Sequence, residues 1–287
     1  MSEALTVAVD GGPYALACAP DGAMWVTLVH SGEVARIDPE GAPGAQVTTF
    51  PVAPGSKPSI ITAGPDGAMW FTCSGTDQIG RITALGDLKL IELTSDSAPF
   101  GITVGPDDAL WFTTMAAGGI GRLTVDGLLE DDEHVGGTPS MIITGPDNAL
   151  WCTLNERNAI ARLEPRTGKV TVRQLPTPNA GPSGITATHD DAVWFTEIRA
   201  EKLGRIPMGD AIQEIDLPGK PHAVVADGAD GVWVSLCGSD QLARVTGDGE
   251  ITTFDLPPGS EPHGLAIDHS GAAWVALESG FVLRLPW

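Results

Sequence analysis

One stretch near the end of the chain carries three side chains suited to acid–base and metal chemistry. It consists of the segment Glu-Pro-His-Gly at 261–264, a turn at His269 and Ser270, and Glu278 after a second apolar run. Two apolar runs about a Gly-containing turn predict a β-hairpin. Because residues two apart in an extended strand face one side, we expect Glu261 and His263 to share a face, with 261 roughly opposite 279 and 263 roughly opposite 277. Two carboxylates and an imidazole then meet at one end of this hairpin.

The scaffold that positions this hairpin is a repeat, which three landmarks define. Tryptophans recur every 39 to 45 residues, a proline precedes each by 12, and an arginine follows each by 11, or by 10 in the last repeat. The tryptophans are Trp25, Trp70, Trp111, Trp151, Trp194, Trp233 and Trp274. A period near 40 with several short strands per unit is typical of a β-propeller. We therefore predict an all-β, seven-bladed β-propeller that forms a single domain over residues 1–287.

Each repeat contains four apolar runs, which predict four-stranded blades. In the fifth repeat the runs are 183–186, 193–196, 203–206 and 212–215. The last repeat stops after its third run, at Arg284, whereas an additional run at Ala4–Val9 precedes the first repeat. We expect this N-terminal strand to complete the seventh blade, because that pairing closes the ring and removes two exposed edges.

Residues that recur in every blade are most simply structural, whereas residues that differ between blades are candidates for function. We expect the repeated Trp to pack between blades and the repeated Arg to bond carbonyls or stack there. The position after the repeated proline varies and should surround the mouth of the central tunnel. It reads Tyr14, Ser59, Phe100, Ser140, Ser183, His222 and His263. Tyr14 and Phe100 are candidate substrate contacts, and His222 and His263 come from adjacent blades.

The remaining histidines are weaker candidates. His189 and His269 fall in turns on the opposite face of the predicted ring, and His134 lies in an outer strand. His30 follows the second strand of blade one, on the same face as the mouth, but has no acidic neighbour in the sequence. It is left as a possible wall of the substrate site.

The composition limits the partners and the compartment. A net charge of −21 should repel phosphate backbones and anionic lipid, so nucleic acid and membranes are not expected partners. No apolar run of 18 residues and no basic-then-apolar leader are present, which favours a cytoplasmic protein. The four cysteines show no paired spacing, and we expect free thiols. We also expect a monomer.

At these residues the chain resembles the streptogramin B lyases, also called virginiamycin B lyases, along its whole length. The blade signature is similar to Gly-Pro-Ser-Gly-Ile-Thr at 181–186, Trp-Phe-Thr-Glu at 194–197 and Leu-Gly-Arg-Ile at 203–206. The more specific matches are Pro-His-Ala at 221–223, Glu-Pro-His-Gly at 261–264 and Glu278. One departure is that the Glu ending the second strand survives only as Glu197, which leaves substrate identity open. The other blades have Leu28, Cys73, Thr114, Leu154, Leu236 and Leu277 there.

The resemblance implies a seven-bladed propeller that opens small cyclic depsipeptides at their ester bond, by Mg²⁺-dependent elimination. It implies that His263 is the general base, that Glu261 and Glu278 bind Mg²⁺, and that His222 binds substrate. These roles suit the residue types, since histidine titrates near neutral pH and Mg²⁺ takes a few carboxylates with water. No phosphate loop, nucleophile elbow or Ser-His-Asp arrangement is seen. A metal-dependent lactonase or esterase, and a binding propeller without catalysis, remain alternatives.

Overall fold

The computed structural model describes residues 5–42 and 46–285, which form only β-strands joined by turns. The first strand, β1, spans Leu5–Ala8. Blades one to three then follow in chain order, each made of four strands. They are β2 (Pro13–Cys18), β3 (Met24–Leu28), β4 (Glu33–Ile37) and β5 (Val47–Pro51); β6 (Pro58–Ala63), β7 (Met69–Cys73), β8 (Gln78–Ile82) and β9 (Leu88–Glu92); and β10 (Pro99–Val104), β11 (Leu110–Thr114), β12 (Gly119–Leu123) and β13 (Leu129–His134).

The remaining blades repeat this order around the ring. They are β14 (Pro139–Thr144), β15 (Leu150–Leu154), β16 (Ala159–Glu164) and β17 (Lys169–Gln174); β18 (Pro182–Thr188), β19 (Ala192–Glu197), β20 (Lys202–Pro207) and β21 (Gln213–Asp216); β22 (Pro221–Ala226), β23 (Val232–Leu236), β24 (Gln241–Val245) and β25 (Ile251–Asp255); and β26 (Pro262–Ile267), β27 (Ala273–Leu277) and β28 (Phe281–Arg284). Every sheet is antiparallel and four-stranded. The predicted seven-bladed propeller is confirmed, and the four runs of the fifth repeat are its four strands.

The N-terminal strand closes the ring as predicted. β1 pairs antiparallel with β28, from Leu5 opposite Arg284 to Ala8 opposite Phe281, so the seventh sheet has the order β1-β28-β27-β26. The amide of Val9 adds a further hydrogen bond of 2.9 Å to the carbonyl of Gly280. Ala4, the first residue of the predicted strand, lies outside the described residues. Because β1 covers the outer edge of β28, the last blade carries a complete set of four strands.

The hydrophobic core lies between neighbouring blades, where the repeated tryptophans are buried. Trp274 of blade seven, for example, is fully buried in a cluster with Leu16 and Met24 of blade one and Val7 of β1. Packing between blades was predicted for these side chains and is confirmed. Burial of a large aromatic ring at each blade interface stabilises the ring and fixes the angle between successive sheets.

The repeated arginines stack on these tryptophans but pair with carboxylates rather than with carbonyls. Five of the guanidinium groups lie 5.3–6.0 Å from the centroid of a Trp ring, because Trp and Arg are cross-strand partners, as in Trp70 opposite Arg81. Each Arg also bonds an aspartate in the first hairpin turn, at 2.5–2.9 Å. These acids are Asp21, Asp66, Asp107, Asp147, Asp190, Asp227 and Asp268. The pairing of the repeated arginines with these turn acids was not predicted from the sequence.

Two features of the inner strands direct side chains towards the mouth. Each inner strand has a register shift immediately after its first proline, for example between Pro262 and Leu265, and such bulges re-aim side chains. In addition, a threonine of the preceding blade bonds the carbonyl of the mouth residue. Thr72 Oγ1 donates to Phe100 at 2.6 Å and Thr196 Oγ1 to His222 at 2.9 Å. Blade packing therefore fixes the backbone of the mouth residues.

Candidate active site

Four rings from four different blades meet at the mouth of the tunnel. The ring centroid of Tyr14 lies 6.4 Å from Phe100, 5.8 Å from His222 and 5.2 Å from His263. His222 and His263 are 4.6 Å apart in an edge-to-face contact. The expected juxtaposition of the two histidines is thus present in the structure, and Tyr14 and Phe100 complete an aromatic wall around them.

The three serines at the equivalent position contribute less to this wall. Ser59 and Ser140 are 2% and 6% exposed, and the hydroxyl of Ser59 lies 3.0 Å from that of Ser74. Ser183 lines the cavity below the mouth. Of the seven predicted mouth residues, the four with rings therefore meet at the mouth, and the three serines lie further back.

The carboxylate of Glu278 binds two histidines, one through each oxygen. Its Oε2 lies 2.5 Å from Nε2 of His263, and its Oε1 lies 2.7 Å from Nε2 of His30. Glu278 follows β27 and His263 lies in β26, so the predicted hairpin brings this pair together. His30 comes from blade one, 248 positions away in the sequence, and for this reason its acidic partner could not be seen from neighbouring residues.

Glu261 occupies a different backbone position from the one predicted. Pro262 pairs with Leu277, and the amide of Glu278 donates to the carbonyl of Glu261 at 3.1 Å. Residue 261 therefore lies opposite 278 rather than 279. Glu261 precedes β26 and has a φ of 49°, so the alternation of an extended strand does not apply to it and does not place its exposed side chain on the face of His263.

The loop that carries Glu261 is held by an acid of blade six. One carboxylate oxygen of Asp240 accepts the amide of Glu261 at 2.9 Å, and the other accepts that of Gly259 at 2.7 Å. These backbone donors hold the pKa of Asp240 below its usual value. Asp240 is therefore ionised at neutral pH, and it fixes the backbone that leads into β26. Nothing in its sequence context pointed to this function.

Burial sets the protonation states of the mouth. The pKa of His222 is lowered to about 3, first by burial and then by the neighbouring His263 and Lys220. The pKa of Tyr14 is raised to about 12, first by burial and then by the charge of Glu278. Both groups are therefore neutral near pH 7. His222 is therefore available at the mouth as a neutral hydrogen-bonding group.

The second nitrogens of the two histidines are not engaged. Nδ1 of His222 and Nδ1 of His263 are buried and have no hydrogen-bond partner among residues 5–42 and 46–285. Nε2 of His263 instead faces the carboxylate of Glu278, and the short contact places a proton between these two atoms. The pair thus fixes the orientation of the His263 ring at the mouth.

An apolar cavity of about 340 Å³ lies along the axis, with Tyr14, Phe100 and His222 among its lining residues. Isoleucine and valine residues of the inner strands, including Ile61 and Val224, also line it. No helix in the described part of the chain is long and apolar enough to cross a membrane.

The described residues contain no group of three or more His, Cys, Asp or Glu side chains placed to hold a metal ion. The acids available at the mouth are Glu278 and Glu261, whose backbones are hydrogen-bonded to each other. Mg²⁺ commonly binds through one or two carboxylates with water as the other ligands. The donor set is therefore of the type that Mg²⁺ uses, with Glu278 already oriented and Glu261 exposed to solvent beside it.

Glu197 is the one acid among the seven residues that end the second strands of the blades, and it is fully buried. Neither of its carboxylate oxygens has a hydrogen-bond partner among the described residues. Its pKa is raised to about 8, first by burial and then by the charge of Glu214. Glu197 lies at the end of β19 and is predominantly protonated at neutral pH.

Fold, site and sequence comparison together define the class of this protein as a propeller lyase. The model of the virginiamycin B lyase family matches residues 1–285. The chain belongs to the virginiamycin B lyase family.

Relatives and solved structures agree with this assignment over nearly the whole chain. A virginiamycin B lyase of Mycolicibacterium smegmatis is 67% identical over 286 residues, covering 100% of both chains. One of Nocardia farcinica is 40% identical and covers 99% of both. A streptogramin B lyase structure superposes with a TM-score of 0.92 at 33% identity, covering 99% of this chain and 97% of the other. A catalytically inactive His-to-Ala variant of the Staphylococcus aureus virginiamycin B lyase, solved with quinupristin, has a TM-score of 0.91 at 33% identity and covers 99% of both chains.

Proposed function

We propose that this protein opens cyclic depsipeptides of the streptogramin B type at their ester bond, by Mg²⁺-dependent elimination. The observation that carries the proposal is the contact of 2.5 Å between Nε2 of His263 and Oε2 of Glu278 at the tunnel mouth. The names of relatives give the substrate class, since one is a streptogramin B lyase and another was solved with quinupristin. An apolar, aromatic mouth is suited to a small cyclic peptide.

His263 acts as the general base in this proposal. His263, oriented by its contact with Glu278, removes the proton on the carbon next to the carbonyl of the residue that bears the ester oxygen. The electrons of that C–H bond form a carbon–carbon double bond, and the bond from the neighbouring carbon to the ester oxygen breaks. The acyl part leaves as a carboxylate, and no water is consumed. Glu278 then stabilises the imidazolium that has formed.

Glu278 and Glu261 are the residues that would hold Mg²⁺. When bound, the ion supplies Lewis-acid stabilisation of the negative charge that develops on the substrate carbonyl oxygen. Asp240 supports this function, since it fixes the backbone of Glu261 through two amide bonds. The exposure of Glu261 keeps its carboxylate hydrated, as suits an ion that retains several waters.

His222 and Tyr14 bind and orient the substrate as neutral groups. Both remain uncharged near pH 7, because burial lowers the pKa of His222 to about 3 and raises that of Tyr14 to about 12. A neutral imidazole N–H and a phenol O–H are hydrogen-bond donors to a carbonyl or to the leaving carboxylate. Phe100 faces them across the mouth and provides an apolar contact for the peptide ring.

The mass of the product tests this reaction. Elimination within a ring gives a linear product of the same mass as the cyclic substrate, with a new double bond conjugated to a carbonyl that absorbs in the near ultraviolet. We expect that product from a streptogramin B depsipeptide with Mg²⁺ present. A product heavier by one water, without the chromophore, would contradict the lyase mechanism and favour a metal-dependent esterase. An intact ring with several depsipeptides would favour a binding propeller.

A further inference from the structure

His30 of blade one contacts Glu278 of blade seven across the junction where the ring closes. Its Nε2 lies 2.7 Å from Oε1 of Glu278, and its side chain is 63% exposed. The other oxygen of the same carboxylate contacts His263. The carboxylate is therefore held at both oxygens, once by its own blade and once by blade one.

The backbone position of His30 is fixed by Gly11 and Gly12, in the segment that joins β1 to β2. The amide of His30 donates to the carbonyl of Gly11 at 3.0 Å, and that of Val29 donates to Gly12 at 3.1 Å. Gly12 has a φ of 75°, and a Cβ there would lie 2.2 Å from the ring of His30. Only glycine allows both this backbone conformation and this close approach. The imidazole is thus packed against the backbone that follows β1.

We propose that His30 is a positioning residue of this site, whose Nε2 orients the carboxylate of Glu278 so that its second oxygen faces His263. This inference rests on the proposed function, which makes His263 the base. A carboxylate held at one oxygen only can rotate about its last side-chain bond and lose the short contact to His263. With both oxygens engaged, the orientations of the carboxylate and of the His263 ring are fixed before substrate arrives.

Because the contact is made by Nε2 of His30, variants that keep or lose a donor at this position can be compared. A glutamine amide nitrogen corresponds in reach to Nε2 of histidine, whereas an asparagine amide nitrogen corresponds to Nδ1. We therefore expect His30→Gln to retain activity and His30→Asn to behave like His30→Ala. Loss of a partner of this kind should lower kcat by about 10- to 100-fold. KM should change little, because the contact acts on the base and not on bound substrate. His189→Ala, an exposed histidine on the opposite face, is the matched control.

A second measurement reports the positioning without any turnover. In protein labelled with ¹⁵N-histidine, NMR should show a single set of ring-nitrogen signals for His263. His30→Ala and His30→Asn should shift or broaden these signals, whereas His30→Gln and His189→Ala should leave them unchanged.

The two readouts separate the failure of this inference from that of the proposed function. If the wild-type protein opens depsipeptides and His30→Ala has normal kcat and an unaltered His263 signal, the inference is wrong and the function stands. If the wild-type protein forms no elimination product but the His263 signal depends on His30 as described, the proposed function fails and the positioning contact stands. Equal losses in His30→Gln and His30→Ala would also contradict the inference.

Discussion

Oε2 of Glu278 lies 2.5 Å from Nε2 of His263, although the two residues are separated by a complete hairpin. The contact exists because Pro262 pairs with Leu277 and the register then shifts by a bulge. A short contact between an imidazole N–H and a carboxylate is a charge-assisted hydrogen bond and is among the stronger interactions of its kind. It fixes the orientation of the His263 ring relative to the carboxylate of Glu278.

Replacement of His263 should remove the base while leaving the fold intact. We expect His263→Ala to lower kcat for depsipeptide opening by about 10²–10⁴-fold, with substrate still bound, because Tyr14, Phe100 and His222 remain. Steady-state kinetics and calorimetric titration with substrate check this. His269→Ala is the control, since His269 lies in the turn of the same hairpin and is exposed. Equal kcat in both variants would exclude His263 as the base.

The carboxylates of Glu261 and Glu278 should bind the metal. Chelator should abolish turnover and Mg²⁺ should restore it. Glu261→Gln and Glu278→Gln should weaken Mg²⁺ binding by more than about tenfold in calorimetric titrations, with little change in Tm because neither side chain belongs to the core. Glu250→Gln, an exposed acid of blade six, is the control. Full activity in excess chelator would remove the metal from the mechanism.

The closing strand should contribute strongly to stability. Val7 of β1 is 4% exposed and packs in the cluster that contains Trp274, whereas Thr6 points outwards and is exposed. Val7→Ala should lower the free energy of unfolding by about 1.5–3 kcal/mol, because it removes buried apolar surface. Thr6→Ala should change it by less than about 0.5 kcal/mol. Urea unfolding monitored by tryptophan fluorescence provides both values. Similar effects of the two substitutions would show that β1 does not anchor the ring.

Glu197 should make the protein less stable as the pH rises. Its pKa is raised from 4.5 in the unfolded chain to about 8 in the folded protein, so the folded state binds more protons between these values. The free energy of unfolding should therefore fall as pH increases from about 4.5 to about 8, and this group should contribute no further change above that. Glu197→Gln should flatten this dependence on pH. At pH 9 its free energy of unfolding should exceed that of the wild-type protein by about 1–3 kcal/mol.

Unfolding in urea at a series of pH values provides the test, and Glu250→Gln again serves as the control. A wild-type profile that is unchanged by Glu197→Gln would mean that this carboxyl is not held protonated in the folded protein.

The sequence by itself determined the seven blades, the closing strand and the meeting of His222 and His263 at the mouth. These features follow from a repeated hydrophobic pattern whose register is local, and equivalent positions of a repeat must occupy equivalent places in a ring. The same pattern placed the repeated Trp between blades, and stacking was one of the two functions expected of the repeated Arg.

Tertiary structure alone decided the features that depend on long-range contacts, local backbone strain or burial. His30 reaches Glu278 only because ring closure brings blade one against blade seven. Glu261 lies opposite Glu278 because its backbone is left-handed and pinned by Asp240, which alternation along a strand does not reveal. The neutral state of His222 and the protonated state of Glu197 arise from desolvation. Desolvation is set by the neighbours that packing supplies, and these neighbours come from other blades.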